Sequence, residues 1–482
     1  MIVELFDSYG YDSKGGNFIC NAVRKGLKYE PETRVPRKRN ALYTFLIESG
    51  QETNDINQSP LLYKNKIECD EPIPKHDYSK DYFTFEAIQD TTFTFTQNAL
   101  QYSLDNGATW TTLAANTASP TIASGSKIMW KQTGLTPVDH YGIGTFSATG
   151  NFNVVGNIMS LYYGDNFVGQ GNLTGKSYAF ESLFYDNTKL IDASNLILPA
   201  TTLADNCYAK MFWGCTSLTK FPKLPATTLS YSCYYGMATS CKSLITAPEL
   251  PATTLAQGCY YFMFYDCSSL IIPPKLPATA LAKNCYEEMF GVCTSLTTTP
   301  ELPATTMEDY CYSGMFNGCT SLAETTPKLP ATTLAQCCYS AMFSNCTALT
   351  RMPEICATTL AKSCCEEMFN ECTSLVTTQR ILPATTLAHS CYAFMFSGCT
   401  SLTTAPELPA TTLAGYCYSA MFDGCTSLNY IKCLATDISA NNCTNYWVSS
   451  VSASGTFVKA SSMSSWTTGN NGIPTGWSIE NA

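Results

Sequence analysis

The sequence predicts an α/β repeat solenoid with about 26 residues per unit, preceded by a small β-sandwich module and an irregular N-terminal segment. Three observations support this fold class. A cysteine recurs nine times from Cys207 to Cys417 at a spacing of 26 or 27 residues. Short β-type segments precede this array, and a turn-rich stretch of mixed charge precedes them. A period in this range is typical of solenoids, whose units bury their apolar faces only by stacking on one another.

In the N-terminal segment, residues 1–80 contain equal numbers of basic and acidic side chains. Their one dense basic run is RVPRKRN, Arg34 to Asn40. A run this short is more typical of a solvated loop than of a docking or anion contact. We interpret residues 1–82 as an attachment segment.

Charge and hydropathy exclude several function classes. The chain has a formal net charge of −10, which argues against nucleic acid and anionic membranes as partners. No apolar stretch is long enough to cross a bilayer, and the start lacks the pattern of a signal peptide. We therefore expect that the protein folds in a cytoplasm and does not insert into a membrane. If it acts outside the cell, we expect it to be released there as part of a particle.

Residues 83–175 show short alternating segments such as FTFEAI and KIMWKQTG, separated by DNG and ASGS turns. This pattern predicts a small, immunoglobulin-like β-sandwich module. The module contains SLDNGATW, Ser103 to Trp110, which matches the Asp-box pattern. We interpret it as a structural hairpin rather than a catalytic or metal site.

The array itself spans residues 176–433. In the unit from Leu203 to Pro225, Leu203, Cys207, Met211 and Cys215 lie four residues apart. This spacing predicts one apolar stripe of a helix, followed by a very short strand. The tyrosine after the first cysteine is then expected on half-buried helix surface. Residues 434–482 differ in sequence and are expected to cap the array.

The paired cysteines form two structural ladders. Members in the first four units are Cys207, Cys215, Cys233, Cys241, Cys259, Cys267, Cys285 and Cys293. If the segment is helical, two cysteines eight residues apart are separated by roughly 12 Å, too far for a disulfide. Buried free thiols are favoured over disulfides between units. No zinc-type spacing appears, so we expect neither a metal nor a cofactor.

A row of single charges of alternating sign follows the leucine of each unit. Its members are Lys223, Glu249, Lys275, Glu301, Lys328, Glu354, Arg380, Glu407 and Lys432. Neighbouring strands lie about 4.8 Å apart, so each charge would stand between two opposite charges and fix the stacking register. The Arg380 unit carries an insertion that leaves its register open.

Variable positions after the same leucine are the candidate ligand contacts. They are Lys220, Ile271, Ile272, Arg351 and Tyr430. The threonine pairs around them could order water or sugars, although β-propensity explains such pairs more simply.

The unit YxxMFxGCTSLTxxPxLPxTTL resembles the BspA-like leucine-rich repeat, and the likeness covers about 176–433. Its LPATTLAxxCY form is similar to repeats in surface proteins of gut Bacteroidales and in virion proteins of their phages. The resemblance implies a right-handed solenoid with an adhesive or recognition role. It supplies no catalytic residues.

Only three histidines exist and no catalytic motif stands out, so the sequence predicts a non-enzymatic protein. The leading hypothesis is a phage fibre or capsid-decorating protein in the virion. Residues 1–82 would bind virion proteins, and the solenoid would bind bacterial surface polysaccharide, an outer-membrane protein or mucus glycan. The alternatives are a bacterial cell-surface adhesin and a purely structural spacer; a homo-oligomer is possible in each case.

Overall fold

Each repeat unit forms one coil of a solenoid, with a turn side and a strand side. The turn side contains the cysteine pair, and the strand side contains the residues after the TSL leucine. The computed structural model describes residues 76–132, 135, 142–325, 328–464 and 466–482. Residues 77–482 form one compact unit. The predicted attachment segment lies outside the described residues up to position 75.

The helix predicted on the turn side is wrong. The run from Cys207 to Cys215 is a chain of tight turns, and every fourth residue has a positive φ: Asn206 (55°), Lys210 (54°) and Gly214 (73°). The apolar residues recur at every fourth position, whereas an α-helix completes one turn in 3.6 residues. On a helix, each successive apolar side chain would therefore be rotated by about 40° from the one before it. A four-residue turn unit keeps the stripe facing the core.

This turn segment occurs eleven times in the described residues. The segments are 178–186, 206–214, 232–240, 258–266, 284–292, 310–318, 337–345, 363–371, 390–398, 416–424 and 442–450. The first precedes Cys207, and the last lies beyond the predicted boundary at 433. The stacked architecture therefore continues into the segment predicted as a cap.

Backbone amides on the turn side alternate between two kinds of partner. The N–H groups of Tyr208 and Phe212 donate to the next coil, to the carbonyl oxygens of Cys233 (3.0 Å) and Met237 (2.9 Å). The N–H of Met211 donates within its own coil, to the carbonyl oxygen of Tyr208 at 3.3 Å. Half of these amides thus close the turns while the other half join the coils, as in a parallel sheet.

The core consists of columns of like side chains. The tyrosines expected on half-buried surface are only 1% exposed and stack ring on ring, for example Tyr260 on Tyr286 at 5.7 Å between centroids. A parallel phenylalanine column includes Phe290, 5.8 Å from Phe264 and 5.6 Å from Phe316. The prediction that these tyrosines are partly exposed was wrong, because it assumed that they lie on the surface of a helix.

The 23 described cysteines form no disulfide, and all except Cys337 and Cys356 are buried. Thiols of the second ladder donate to a carbonyl oxygen of the preceding coil at 3.0–3.2 Å, as Cys293 does to Phe264. Contacts of the first ladder are longer, such as 4.0 Å from Cys285 to the carbonyl oxygen of Cys311. Burial raises the pKa of Cys207 and Cys319 to about 12, so these thiols stay neutral.

The structure contains thirteen strands within its described part. They are β1 (Phe83–Ala87), β2 (Phe93–Phe95), β3 (Leu100–Ser103), β4 (Thr111–Leu113), β5 (Lys127–Lys131), β6 (Phe146–Ala148), β7 (Phe152–Asn157), β8 (Leu190–Ile197), β9 (Lys328–Leu329), β10 (Glu354–Ile355), β11 (Tyr430–Cys433), β12 (Thr456–Lys459) and β13 (Ser478–Asn481). Among the described residues, one short α-helix, α1 (Ser160–Tyr163), follows β7, and two 3-10 helices span Tyr78–Lys80 and Gly164–Asn166. No helix among the described residues has the length and apolar character that a bilayer crossing requires.

The β module shares its main sheet with the solenoid. The strand order is β4-β3-β5-β1-β7-β8, and β8, which belongs to the first coil, pairs parallel with β7. The ribbon of β2 and β6 contributes Phe93 and Phe146, which lie 4.9 and 4.8 Å from Phe85. The module and the solenoid also share one continuous hydrophobic core. The module thus closes the N-terminal end of the stack.

The Asp-box forms the hairpin between β3 and β4. Asp105 accepts hydrogen bonds from the Thr109 hydroxyl (2.6 Å) and backbone N–H (2.9 Å) and from the Ser103 hydroxyl (2.7 Å). These bonds lower the pKa of Asp105 to about 2. The motif therefore holds its own turn, with the Trp110 indole donating to the Gly107 carbonyl oxygen at 3.1 Å.

Candidate functional site

The strand side brings most of the predicted contact residues into one row. The position two residues after the buried leucine forms a parallel ladder from coil to coil. Its observed bridges are Asp192–Lys220, Thr246–Ile272, Thr298–Glu324, Arg351–Thr377 and Thr404–Tyr430. Ile271 lies in the adjacent row, its N–H donating to the Ile245 carbonyl oxygen at 3.0 Å.

These residues do not form a single site. Lys220 makes an ion pair with Asp192 at 3.0 Å near the β module. Ile271 and Ile272 are 46% and 59% exposed in the middle of the row. Arg351 lies three coils beyond Ile272, and Tyr430 lies three further coils along. With coils about 4.8 Å apart, the row from Lys220 to Tyr430 spans roughly 38 Å.

The alternating charges lie along the edge of the same side. Lys328 and Glu354 are register partners in β9 and β10, and Lys432 makes an ion pair with Glu407 at 3.1 Å. The row breaks at Arg380, because the inserted residue moves Ile381 into the place opposite Glu407. Among the described residues, Lys223, Glu249, Lys275 and Glu301 make no ion pair within 4.0 Å.

Two shallow depressions adjoin each other at the C-terminal half of the strand side. The first has a volume of about 660 Å³. Its lining includes Glu324, Thr325, Thr350, Arg351, Glu354, Thr378 and Gln379. The second, about 450 Å³, is lined by Thr377, Thr378, Gln379, Arg380, Thr404, Glu407, Tyr430 and Lys432, among others. Arg351 thus belongs to the first depression and Tyr430 to the second.

Gln379 lines both depressions, together with Thr378. Its side-chain oxygen, Oε1, accepts a hydrogen bond from the backbone N–H of Ile355 at 2.7 Å. Its side-chain nitrogen, Nε2, donates to the backbone carbonyl oxygen of Ile381 at 2.7 Å. The side chain thus replaces main-chain bonds that the inserted residue displaces from the ladder. Sequence reasoning missed Gln379, although the 27-residue step from Cys364 to Cys391 marked the insertion.

Most side chains that line the depressions are hydrogen-bonding or charged groups. Arg351 and Arg380 are exposed and make no ion pair within the described part of the chain. The same linings contain threonine hydroxyls, the Gln379 amide, the Tyr430 ring and the carboxylates of Glu324, Glu354 and Glu407. In the part of the chain that the structure describes, no group of three or more His, Cys, Asp or Glu side chains is placed to hold a metal ion.

Comparisons with known proteins found four similar solved chains, and two of them are as follows. A leucine-rich repeat protein from Bacteroides ovatus ATCC 8483 has 16% sequence identity over 69% of this chain and 96% of its own, with a TM-score of 0.30. A leucine rich cell surface protein from Faecalibacterium prausnitzii A2-165 has 17% identity over 53% of this chain and 77% of its own, also with a TM-score of 0.30. No protein-family model and no curated protein match the chain.

Proposed function

We propose that the protein is a non-enzymatic adhesin whose strand side binds polysaccharide at a bacterial cell surface. The observation that carries this proposal is the pair of adjoining depressions on either side of Gln379. They place two exposed arginines, several threonine hydroxyls and an aromatic ring along one open face. An open face suits a long chain that passes over several coils.

The polar groups favour a saccharide ligand. Guanidinium and amide groups offer paired donors and acceptors that match neighbouring hydroxyl or carboxylate oxygens. Arg351 and Arg380 make no ion pair among the described residues, so each is free to bind a carboxylate of an acidic sugar. The carboxylates of Glu324, Glu354 and Glu407 in the same lining can accept hydrogen bonds from its hydroxyl groups. An acidic bacterial polysaccharide is therefore the preferred partner within this proposal.

The resemblance of the repeat to BspA-like leucine-rich repeats supports an adhesive role. The leading hypothesis from the sequence, a phage fibre or capsid-decorating protein, assigns particle attachment to residues 1–82, and it stays a prediction because residues 1–75 lie outside the described residues. The cell-surface adhesin is therefore the form of the hypothesis that we develop.

An array of purified bacterial polysaccharides, probed with the labelled full-length chain, tests the proposal. The informative variant is Arg351→Ala/Arg380→Ala, which removes one guanidinium from each depression. The matched control is Lys223→Ala/Lys275→Ala, which removes the same charge from exposed positions on earlier coils of the same side. We expect the arginine variant to lose at least tenfold in affinity for the bound acidic polysaccharide, and the control less than twofold.

Equal losses in both double variants would mean that only net charge attracts the ligand. Binding to an outer-membrane protein with no signal from any polysaccharide would replace the saccharide by a protein partner. If the chain binds neither a polysaccharide nor an outer-membrane protein, the remaining interpretation is that the solenoid is a structural spacer.

A further inference from the structure

The two depressions on the strand side carry a balanced set of charges. Their linings contain three cations and three carboxylates, namely Arg351, Arg380, Lys432, Glu324, Glu354 and Glu407. The face proposed for polysaccharide binding is therefore neutral overall. A neutral face does not attract every polyanion, so the order of its charges decides which acidic ligand fits.

The charged residues of this face follow one another closely in the stack. Glu324 and Arg351 each lie two residues after the buried leucine of consecutive coils, so their backbones are about 4.8 Å apart. At the other end, the backbone N–H of Glu407 donates to the carbonyl oxygen of Arg380 at 2.9 Å. Each arginine thus has an acidic residue on a neighbouring coil.

Most of these charged groups are available to a ligand. Arg351, Arg380, Glu324 and Glu354 are exposed, and none of them makes an ion pair among the described residues. Glu407 differs, because it makes an ion pair with Lys432 at 3.1 Å. Two free guanidinium groups therefore lie between carboxylates at both ends of the face.

The first depression lies where strand-side runs of different length meet. The runs that begin at Leu322 and Leu375 each contain one residue more than the run between them, which begins at Leu349. The lining of the depression includes residues from all three runs. Because the lengths of the backbone runs differ here, we expect the depression to persist when its charged side chains are replaced.

We propose that this face selects an acidic polysaccharide whose carboxylates are separated by neutral sugars, and that it rejects a polyuronate with a carboxylate on every sugar. The inference rests on the polysaccharide-binding function proposed above. Carboxylates of the ligand bind Arg351 and Arg380, whose guanidinium groups match them in shape and charge. Hydroxyl groups of the neutral sugars donate to Glu324, Glu354 and Glu407.

A polyuronate fits poorly because the two arginines belong to consecutive coils and acids follow on both sides. Sugars beyond the arginines would hold their own carboxylates against Glu324 or Glu407. Like charges placed next to each other weaken binding and exclude the wrong partner. The arginines thus attract the ligand, and the acids limit how many carboxylates it carries.

The test groups the acidic polysaccharides of an array by the spacing of their carboxylates. Hyaluronan and unsulfated chondroitin represent the group with neutral sugars between the acidic ones, and polygalacturonate and alginate represent the polyuronates. The labelled full-length chain is applied at low salt, because salt screens exposed charges. We expect at least fivefold higher affinity for the first group than for the polyuronates.

The variant Glu324→Gln/Glu354→Gln tests the excluding role of the acids. Glutamine still accepts a hydrogen bond through its side-chain oxygen but carries no charge. We expect this variant to lower the preference for the first group at least threefold, because polyuronates then bind more tightly.

The matched control is Glu249→Gln/Glu301→Gln, which removes the same charge from exposed positions on earlier coils of the same side. It should change the preference less than twofold. Thermal unfolding verifies that both variants are folded.

Polyuronates that bind as tightly as the first group, or an equal effect of the two glutamine variants, would overturn the inference and leave the adhesin proposal standing. The same holds if only neutral polysaccharides bind. If no polysaccharide binds, the proposed function itself fails, and this inference fails with it.

Discussion

The turn side and the strand side are built from the same repeat units, yet they are held together differently. On the turn side, alternate amides of every coil donate to the next coil, and stacked phenylalanine, tyrosine and cysteine columns fill the core. On the strand side, many coils meet at isolated bridges, and the side chains vary from coil to coil. Stability is thus concentrated in one half of each coil, which leaves the other half free to vary its surface.

The largest difference between the two sides should appear when a core ring is removed. Phe290→Ala deletes a fully buried ring that stacks on both neighbouring coils, so we expect a loss of about 3–5 kcal/mol in the free energy of unfolding. Ile272→Ala, on the exposed strand side, should change it by less than about 0.5 kcal/mol. Urea unfolding of the two variants measures the contrast, and similar midpoints would contradict it.

A buried carboxylate on the turn side should make stability depend on pH. Glu181 is 4% exposed, and its burial raises its pKa to about 7 despite Lys210 at 3.6 Å. The folded state therefore holds a proton that the unfolded state loses near pH 4.5, so stability falls as pH rises from about 4.5 to 7. Glu181→Gln should remove this part of the decline, on the order of 3 kcal/mol. The readout is the difference between wild type and variant in urea unfolding from pH 4 to 8. A constant difference across that range would show that Glu181 does not titrate as described.

The two cysteine ladders should differ by a smaller amount. Cys293 donates to the Phe264 carbonyl oxygen at 3.1 Å, whereas Cys285 has only a 4.0 Å contact. Both are fully buried, so alanine leaves a similar cavity at each position. We expect Cys293→Ala to cost about 0.5–1 kcal/mol more than Cys285→Ala, which is the net value of a hydrogen bond. The same cost at both positions would mean that the ladders act only through packing.

The smallest effect on stability should come from the proposed binding face. Arg351→Ala removes an exposed side chain without an ion pair, so we expect the unfolding midpoint to be nearly unchanged. A clear loss of stability would assign Arg351 to the scaffold rather than to recognition.

The repeat, its period and the stacking of like residues could be predicted from the sequence, because identical residues returned at fixed spacing. The turn conformation was missed because apolar residues at every fourth position also mark a helix. The signal against a helix lay in the strictness of that spacing and in the Gly, Asn, Ser or Asp at many of the positions that became left-handed, such as Asn206 and Gly214.

The candidate site was only partly accessible from the sequence. Variable positions after the leucine identified Arg351 and Tyr430, which line the two depressions. The role of Gln379 depends on how the chain accommodates one inserted residue, and sequence periodicity does not specify that. A row of exposed or half-buried aromatic rings on the turn side combines variable positions from four coils, so no single unit shows it. Its members are Tyr185, Trp213, Tyr235 and Tyr261.

Amide hydrogen exchange on central coils tests the division between the two sides most directly. The turn segment 284–292 donates to the next coil through the N–H groups of Asn284, Tyr286, Glu288, Phe290 and Val292. In the adjoining strand-side run 297–301, only the N–H of Thr299 has such a bond among the described residues, at 3.2 Å to the carbonyl oxygen of Glu324. We predict that peptides covering 284–292 exchange far more slowly than peptides covering 297–301. Equal or reversed protection would contradict the claim that the turn side holds the coils together.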